Sequence, residues 1–203
     1  VVLDKTGTIT KGAPSLTDVL PADGFDDTEL LALVAAAESD SEHPLAAAIV
    51  AGATSASLTL SAPQEFTSIT GQGVRARVKD RLVLVGNRRL LTGAGIDPTP
   101  LIGNLERLAR DGKTPMLVAV DGRPAGVIGV ADTLKDDSIA SVAALQGRGL
   151  EVVMMTGDNR DTAAAIARQV GITRVLAEVM PEHKANEVKR LQAGLPPHVL
   201  LVL

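Results

Sequence analysis

Residues 1–10 have the sequence VVLDKTGTIT, in which three apolar residues precede a short polar segment that contains a glycine. The apolar residues predict the end of a buried β-strand, and Gly7 lets the backbone turn sharply and approach a ligand. In an open α/β sheet, ligands bind at such strand ends. Asp4 is therefore expected at the rim of the sheet, where a carboxylate nucleophile that accepts a phosphoryl group would have to lie. A solvated turn after a strand is the alternative interpretation.

Composition excludes several classes of function. The chain has 203 residues, a net charge of -4, no cysteine and two aromatic residues, both phenylalanine. The acidic balance predicts no nucleic-acid partner, and the absence of cysteine excludes disulfides, thiolate metal sites and thiol catalysis. No run of 18 apolar residues predicts a membrane span. Because the sequence begins inside an apolar strand without a signal peptide, we expect an excised, soluble piece of a larger protein.

The order of the predicted elements indicates two domains. After Asp132, strands alternate with helices, which predicts an α/β doubly wound parallel sheet. The first strand is expected in that sheet, because a nucleophile needs partners from this later part of the chain. The predicted helices there span 136–146, 160–170 and 182–192, and the predicted strands span 151–155, 175–177 and 199–203. Residues 1–12 and 127–203 would then form one discontinuous domain, with hinges at 11–14 and 126–132.

Residues 13–126 are predicted to form an inserted α+β domain with an antiparallel sheet flanked by helices. Asp26 and Glu29 resemble a capping box, and Pro44 suits the first position of a second helix. Asp121-Gly122 is a hairpin turn signal. The predicted helices span 26–38, 44–53, a short segment after Asn87, and 99–109; the predicted strands span 15–20, parts of 64–85, 116–120 and 127–130.

Two further motifs follow predicted strands of the parallel sheet. Thr156-Gly157-Asp158-Asn159 follows an apolar run and precedes a helix, which places a hydroxyl, a glycine and a helix N-terminus at one sheet edge. An ordinary strand-to-helix cap is the alternative. Pro181 and Lys184 open the next helix, and Lys184 is expected to reach back to a phosphate. A phosphorylated aspartate needs such groups, because attack on a phosphate brings two anions together.

DKTGT, TGDN and P-x-x-K, in this order, resemble the phosphorylation domain of P-type ATPases, ion pumps with a haloacid-dehalogenase-like fold and an aspartyl-phosphate intermediate. The resemblance implies ATP and Mg²⁺ as cofactors, with Mg²⁺ held by Asp4 and the backbone carbonyl of Thr6. It also implies catalytic roles for Asp4, Lys5, Thr6, Thr156, Gly157, Asp158 and Lys184. The family continues after its last strand with GDGxND, and this sequence ends at Leu203. We therefore expect the fragment alone to be impaired in autophosphorylation.

The inserted part resembles the heavy-metal (P1B) branch of the family through Ser41-Glu42-His43-Pro44-Leu45, Gly71-Gln72-Gly73-Val74 and Gly86-Asn87. This resemblance implies a nucleotide site at Glu38, Glu42, His43, Gly71, Gly73, Val74, Gly86 and Asn87. A histidine bonded to backbone at the helix start is the alternative for His43. Changing His43 or Gly73 is expected to weaken nucleotide binding with little loss of stability. Asp132 and Lys135 resemble the D-x-x-K of the second hinge, where a plain ion pair is the alternative.

The resemblance implies the ATP-driven export of a heavy-metal cation by a translocase of which this chain is the cytoplasmic part. The segments KGAPSLTDV, VLVGNRRL and AEVMPEHK favour copper(I), with zinc or cadmium as the alternative. A haloacid-dehalogenase phosphatase would carry D-x-D, but Thr6 occupies the second position; a nucleotide-binding module without catalysis is a further alternative. The expected partners are ATP and the actuator and transmembrane domains of the same pump in the plasma or inner membrane. The transported ion is not expected to bind this fragment.

Overall fold

A computed structural model of the chain describes residues 1–158, 160–193 and 201–202. The β-strands, in chain order, are β1 (Val2–Asp4), β2 (Thr10–Pro21), β3 (Gln64–Ile69), β4 (Gly73–Val78), β5 (Arg81–Gly86), β6 (Thr114–Val120), β7 (Arg123–Leu134), β8 (Val153–Met155), β9 (Arg174–Leu176) and β10 (Leu201–Val202). The α-helices are α1 (Asp27–Glu38), α2 (Pro44–Ser55), α3 (Arg88–Gly93), α4 (Ile102–Arg110), α5 (Ser138–Gly147), α6 (Arg160–Val170) and α7 (Lys184–Ala193). Short helical turns of other types span Lys5–Ile9, Thr99–Leu101 and Pro181–His183.

The chain divides into two compact units. The parallel unit comprises Val1–Ala13, Arg110–Gly112 and Asp132–Leu203, and the inserted unit comprises Pro14–Ala109 and Lys113–Ala131. The predicted combination of a parallel sheet with an inserted antiparallel sheet is confirmed. The predicted assignment of residues 1–12 and 127–203 to phosphorylation, and of 13–126 to nucleotide binding, stays a prediction.

The parallel unit is built on a four-stranded sheet in the order β10-β1-β8-β9, whose pairings are all parallel. Successive residues of each strand point to opposite faces, so one strand contributes to two cores. Leu3 and Met154 pack with residues of α5 and α6 on one face, while Val2 and Met155 pack with α7 on the other. Both faces are covered, as is usual for parallel sheets, and the carboxyl ends of β1 and β8 meet at one edge.

The inserted unit is built on a six-stranded sheet in the order β2-β7-β6-β5-β4-β3. Alternating residues of its central strands again serve two cores. Val83 and Val118 face the core formed with α1 and α2, whereas Leu84 and Leu117 face the core formed with α3 and α4. The first turn of α1 is capped by a side chain: the Asp26 carboxylate accepts from the Glu29 N–H at 2.8 Å. The capping box predicted at α1 therefore supplies the expected side-chain cap.

The strands extend through both predicted hinges. β2 runs without interruption from Thr10 to Pro21, although residues 11–14 contain the helix- and strand-breaking Gly12 and Pro14. β2 is the outer strand of its sheet, where a proline without an N–H removes no necessary ladder hydrogen bond. The second predicted hinge, 126–132, lies inside β7. The structure therefore shows continuous strands where breaks were expected.

The remaining differences are small shifts of element ends. Helix α5 begins two residues later than predicted, and β8 is shorter than the predicted strand at 151–155. The last predicted strand, 199–203, falls largely outside the described residues, of which 201–202 form β10. No helix in the described ranges is both long enough and apolar enough to cross a membrane.

Candidate functional site

Asp4 is the last residue of β1, and its carboxylate is paired with the ammonium of Lys184. Lys184 Nζ lies 2.8 Å from Asp4 Oδ1 and 2.9 Å from Oδ2. Lys184 is the first residue of α7, directly after the turn Pro181–His183, so P-x-x-K places its lysine at the sheet edge. The two side chains are 22% and 23% exposed, which leaves the pair accessible to a ligand. A carboxylate oxygen held beside a lysine is the arrangement that an attacking nucleophile with an anionic substrate needs.

Lys5 follows Asp4 in the chain, but its side chain pairs with other acids. Its ammonium lies 2.7 Å from Asp158 Oδ2 and 3.7 Å from Asp132 Oδ2, and its side chain is 8% exposed. Among the described residues, no ion pair within 4 Å joins Lys5 to Asp4. The two lysines of the predicted catalytic set therefore serve different carboxylates.

Asp132 and Lys135 both brace the segment that follows Asp4. Asp132 accepts hydrogen bonds from the Thr10 hydroxyl and from the Gly12 N–H, the latter at 2.9 Å. Lys135 Nζ donates to the carbonyl oxygen of Gly7 at 2.6 Å. Gly7 has a φ of 77°, a left-handed conformation that favours glycine. Asp132 therefore holds residues 10 and 12, and Lys135 holds the glycine turn at residue 7. The two residues of the D-x-x-K motif each bond to the loop and do not form the ion pair with each other that was the alternative.

Thr156, Gly157 and Asp158 follow β8 at the same edge. Thr156 is buried, and its hydroxyl accepts the Asp158 N–H at 3.1 Å, so the segment is closed by a side-chain turn. Helix α6 begins at Arg160, and the Asn159 of the TGDN motif lies outside the described residues. Because Asp4 pairs with Met155 across the sheet, Thr156 is the next residue along the edge from the candidate nucleophile. Its predicted role at a phosphate stays a prediction.

The residues predicted to hold Mg²⁺ supply hard oxygen donors. Asp4 ends β1 with its carboxylate partly exposed, and Thr6 lies in the exposed turn with extended backbone angles of −75° and 121°. No cluster of three or more histidine, aspartate or glutamate side chains in the described ranges could hold a metal ion. Mg²⁺ usually binds one or two protein carboxylates and keeps waters and phosphate oxygens as its other ligands, so this donor set fits it.

The inserted unit contains an open cavity of about 320 Å³. Most of the residues predicted to bind nucleotide line it, namely Glu38, His43, Gly71, Gly73, Val74, Gly86 and Asn87. Glu42, which belongs to the same predicted set, is exposed and is not part of the lining. Residues from three separate segments of the sequence therefore converge on one concave site.

Glu38 is the acidic group of this cavity. It is the last residue of α1 and is 5% exposed. Burial raises the pKa of Glu38 from its ordinary value of 4.5 to about 7, and a hydrogen bond from the Ser41 side chain opposes this shift. A carboxyl with this pKa is present in both protonation states near neutral pH, so it is able to donate or accept a hydrogen bond there.

His43 is the N-cap of α2, and its Nδ1 accepts the Leu45 N–H at 3.1 Å. The helix-start interpretation of this histidine is therefore correct as far as Nδ1 is concerned. Since Nδ1 accepts, the neutral imidazole carries its proton on Nε2, which leaves Nε2–H as a donor. His43 also lines the cavity, so a cap and a ligand contact are compatible in one residue.

The glycines of the cavity are needed for the close approach of two strands. Gly73 and Gly86 pair opposite each other in β4 and β5. A Cβ on Gly73 would lie 2.1 Å from the Val85 carbonyl oxygen, and one on Gly86 would lie 2.1 Å from the Gln72 carbonyl oxygen. The expectation that Gly73 could be replaced with little loss of stability is therefore wrong, because backbone atoms occupy the space that a side chain needs.

Asn87 closes the same corner of the cavity. Its Oδ1 accepts from the Arg89 N–H at 2.9 Å and so caps α3, while its Nδ2 donates to the Gly71 carbonyl at 2.8 Å.

Sequence reasoning missed several lining residues, which are Ser41, Leu45, Ala46, Ser68, Ile69, Thr70, Gln72, Val85, Thr114, Pro115 and Met116. Most of them carry no chemical signature. For Ser68, Ile69, Thr70, Gln72 and Val85, their position beside the glycine segments was the available signal. The residues 114–116 belong to β6 and reach the cavity only because that strand pairs with β5.

The chain is similar to known proteins over nearly its whole length. The model of the haloacid dehalogenase-like hydrolases matches residues 1–202. The chain is 50% identical over 194 residues to copper-transporting ATPase 1 of Rhizobium meliloti (strain 1021), which covers 96% of this chain and 24% of that protein. It is 47% identical over 192 residues to the copper-exporting P-type ATPase of Bacillus subtilis (strain 168). This match covers 95% of this chain and 24% of that protein. The chain thus spans about a quarter of the length of these curated relatives.

Solved structures of P-type ATPases are also similar to this chain. The crystal structure of a zinc-transporting PIB-type ATPase in an E2.Pi state has a TM-score of 0.87 and 34% identity, and the match covers 96% of this chain and 31% of that chain. The crystal structure of the N-domain of HMA6, a copper-transporting P-type ATPase, has a TM-score of 0.50 and 26% identity, covering 58% of this chain and 98% of that chain. The chain belongs to the haloacid dehalogenase-like hydrolases and is homologous over nearly its whole length to P-type ATPases.

Proposed function

We propose that this chain is the ATP-binding and phosphorylated part of a P1B-type pump that exports a heavy-metal cation, with Asp4 as the phosphoryl acceptor. The observation that carries the proposal is the pair of contacts, 2.8 and 2.9 Å long, by which Lys184 holds both oxygens of Asp4 at the end of β1. A surface ion pair without a role would be expected on flexible, exposed side chains. Here the acid is fixed at the edge where parallel α/β sheets bind ligands.

The proposed reaction begins with attack by an Asp4 carboxylate oxygen on the γ-phosphorus of ATP. A bond forms between that oxygen and phosphorus, the bond from phosphorus to the β–γ bridging oxygen breaks, and ADP leaves with the bonding electrons. Water later cleaves the acyl phosphate, which returns the Asp4 carboxylate and releases inorganic phosphate. Lys184 offsets the repulsion between the carboxylate and the phosphate, and the Thr156 hydroxyl is the next donor along the sheet edge.

Mg²⁺, when bound, would neutralise charge on the phosphate oxygens. The Asp4 carboxylate and the Thr6 carbonyl are the groups of this chain proposed to hold it. Gly7, held by Lys135, fixes the turn that presents Thr6. This chain's own contribution is therefore a braced loop that keeps two oxygen donors at the strand end.

The inserted unit is proposed to bind the nucleotide through its base. Its cavity of about 320 Å³ has walls of glycine backbone, aliphatic side chains, Glu38 and His43. The chain has no tryptophan or tyrosine, so a flat purine would lie against backbone and aliphatic groups. The Nε2–H of His43 and the Glu38 carboxyl are two of the polar groups that line the cavity and are proposed to orient it.

Copper(I) is the ion that we propose for transport, because the relatives of highest identity above carry copper in their names. A zinc or cadmium pump is the second candidate. It is supported by the 34% identity of the chain to the structure of a zinc-transporting ATPase.

Actuator and transmembrane domains of the same pump are the proposed partners, which would make this chain a cytoplasmic part of a membrane protein. A phosphatase is a weaker proposal, because Thr6 stands where a general-acid aspartate would be needed.

The test is replacement of Asp4 in the complete pump. Asp4→Asn should abolish labelling of the protein by γ-phosphate-labelled ATP while leaving ATP affinity within about tenfold, or about 1.4 kcal/mol. Asp23→Asn, a change of the same type at an exposed turn residue, is the control and should label as the unaltered protein does. Labelling retained in Asp4→Asn would refute Asp4 as the acceptor.

A further inference from the structure

Lys5 is a buried cation that pairs with acids other than the candidate nucleophile. Its side chain is 8% exposed and its ammonium lies 2.7 Å from Asp158 Oδ2 and 3.7 Å from Asp132 Oδ2. A buried ammonium is costly unless it is paired, so these two carboxylates are required for Lys5 to be inside the protein. Asp4 is served by Lys184 instead.

The two acids differ in how else they are held. Asp132 has the Thr10 hydroxyl and the Gly12 N–H as donors, so its position does not depend on Lys5. Asp158 Oδ2 is buried and, within the described residues, makes no aligned hydrogen bond; its close contact is the ion pair with Lys5. Asp132 is therefore a fixed anchor, and Asp158 is the acid that Lys5 holds in place.

The backbone of Asp158 is bonded to Thr156 and Glu178, so a displacement of Asp158 would be passed to the segment 156–158. The Asp158 N–H donates to the Thr156 hydroxyl at 3.1 Å, and the Glu178 N–H donates to the Asp158 carbonyl at 2.9 Å. The Val179 N–H donates to the Thr156 carbonyl at 3.0 Å. Without Lys5, the Asp158 carboxylate, whose Oδ2 is buried although the side chain is 32% exposed, would have no cation between it and Asp132, and the two like charges would repel.

We propose that Lys5 is a positioning residue that locks the segment 156–158 to the loop after Asp4, and that it does not itself contact the transferred phosphoryl group. This proposal deepens the proposed function. Its test by phosphorylation rate rests on the proposed function, whereas its test by amide hydrogen exchange is independent of it. Lys184 remains the lysine that acts on the carboxylate and the phosphate.

The first experiment measures amide hydrogen exchange by NMR on this chain. Lys5→Met should speed exchange of the Glu178 and Val179 amides, which report on the segment 156–158, by about tenfold or more. The double variant Lys5→Met/Asp158→Asn removes the uncompensated charge and should restore exchange to within about threefold of the unaltered chain. Lys11→Met, which breaks an exposed pair with Asp136, is the control and should change neither amide.

The second experiment measures phosphorylation from labelled ATP in the complete pump. Lys5→Met should phosphorylate about 100-fold more slowly, the loss expected when a reacting geometry shifts by about 1 Å, with little change in the KM for ATP. The double variant is compared with Asp158→Asn alone, and the two should phosphorylate at rates within about threefold of each other, because Lys5 acts through Asp158. A double variant about 100-fold slower than Asp158→Asn would show that Lys5 acts on the phosphate and would overturn the proposal.

The two experiments separate two kinds of failure. Unchanged exchange in Lys5→Met would overturn the positioning role whatever the labelling shows. If the unaltered pump is not labelled, the proposed function fails, and faster exchange in Lys5→Met that the double variant reverses would still support the positioning role. Loss of folding in Lys5→Met alone, with a folded double variant, would also support it, since the repulsion between Asp132 and Asp158 is then the cause.

Discussion

Lys184 donates to both carboxylate oxygens of Asp4, although 180 positions separate the two residues in the sequence. The contact connects the end of β1 to the start of α7, and these elements come from opposite ends of the parallel unit. Strand β1 lies between β8 and β10 in the sheet, so later parts of the chain surround the first strand. This arrangement explains how a motif near residue 4 obtains its counter-charge from a motif near residue 184.

Lys184→Met should slow phosphorylation of the complete pump by about 100-fold or more, because removal of a preorganised charge from a reacting group typically costs this much. The fold should persist, since the pair is partly exposed and contributes little to stability. Labelling by ATP measures the rate and circular dichroism measures the fold. Lys189→Met, an exposed residue of the same helix, is the matched control. Equal rates for both variants would contradict the role of Lys184.

The stability of the chain should depend on Glu38 between about pH 4.5 and 7. Because burial raises the pKa of Glu38 to about 7, the folded state holds a proton there that the unfolded state has released. The free energy of unfolding therefore falls as the pH rises through this window and is constant, for this group, above it. Glu38→Gln lacks the titration, so its stability relative to the unaltered chain should rise by about 2 to 3 kcal/mol from pH 5 to pH 8.

Urea unfolding followed by circular dichroism at several pH values measures this difference. Glu42→Gln, at an exposed residue four positions later, is the control and should show no such pH dependence. A difference between Glu38→Gln and the unaltered chain that is the same at pH 5 and pH 8 would contradict a raised pKa.

Gly73→Ala should destabilise the chain by about 2 kcal/mol or more, because its Cβ would lie 2.1 Å from the Val85 carbonyl oxygen and its φ is 142°. Gly71→Ala is the comparison. Gly71 has a φ of 68° and open space at its Cβ position, so the expected cost is the backbone strain of about 1 kcal/mol. Thermal unfolding of the two variants measures both effects. An equal loss in the two would mean that strand contact is not what excludes a side chain at position 73.

His43→Gln should weaken ATP binding by the chain, about tenfold if one polar contact to the base is lost. It should also destabilise the chain by about 1 kcal/mol, because the Nδ1 cap of α2 is lost, so the expectation of little loss of stability is wrong for His43 as well. Titration with ATP, followed by NMR, should shift the resonances of Glu38, His43 and the glycine segments. His183→Gln, a change of the same type outside the cavity, should bind ATP as the unaltered chain does. Shifts confined to residues away from the cavity would show that the nucleotide binds elsewhere.

Most elements of the fold follow from local patterns. The caps at Asp26 and His43, the alternation in β4 and the Asp121-Gly122 turn all lie where the residue types require them. The continuity of β2 through Gly12 and Pro14 does not follow from such patterns. A breaker is tolerated there because of the strand's place at the edge of its sheet, and that place is a property of the assembled sheet.

The candidate site was predictable where chemistry requires particular residue types. Asp4, Thr156 and Lys184 lie at one sheet edge because each follows or faces a parallel strand. The contacts of Lys5 were not predictable, since adjacency to Asp4 in the sequence favours a shared role. Side-chain alternation turns the two residues apart, and only the fold places Asp132 and Asp158 around the lysine. The exposure of Glu42 likewise depends on where α2 begins.

The opposed glycines Gly73 and Gly86 have a consequence for how the antiparallel sheet is aligned. In β4 the arginines Arg75 and Arg77 alternate with buried apolar residues, so a slip of one residue would turn charged side chains into the core. A slip of two residues would keep every side chain on its own face, so the alternation alone does not exclude it. The close contact of the two glycine backbones is what such a slip would destroy, because every neighbouring position of β4 and β5 carries a Cβ. The pair that opens the cavity is thus also a register mark, and a shifted sheet would lose its binding site together with its alignment.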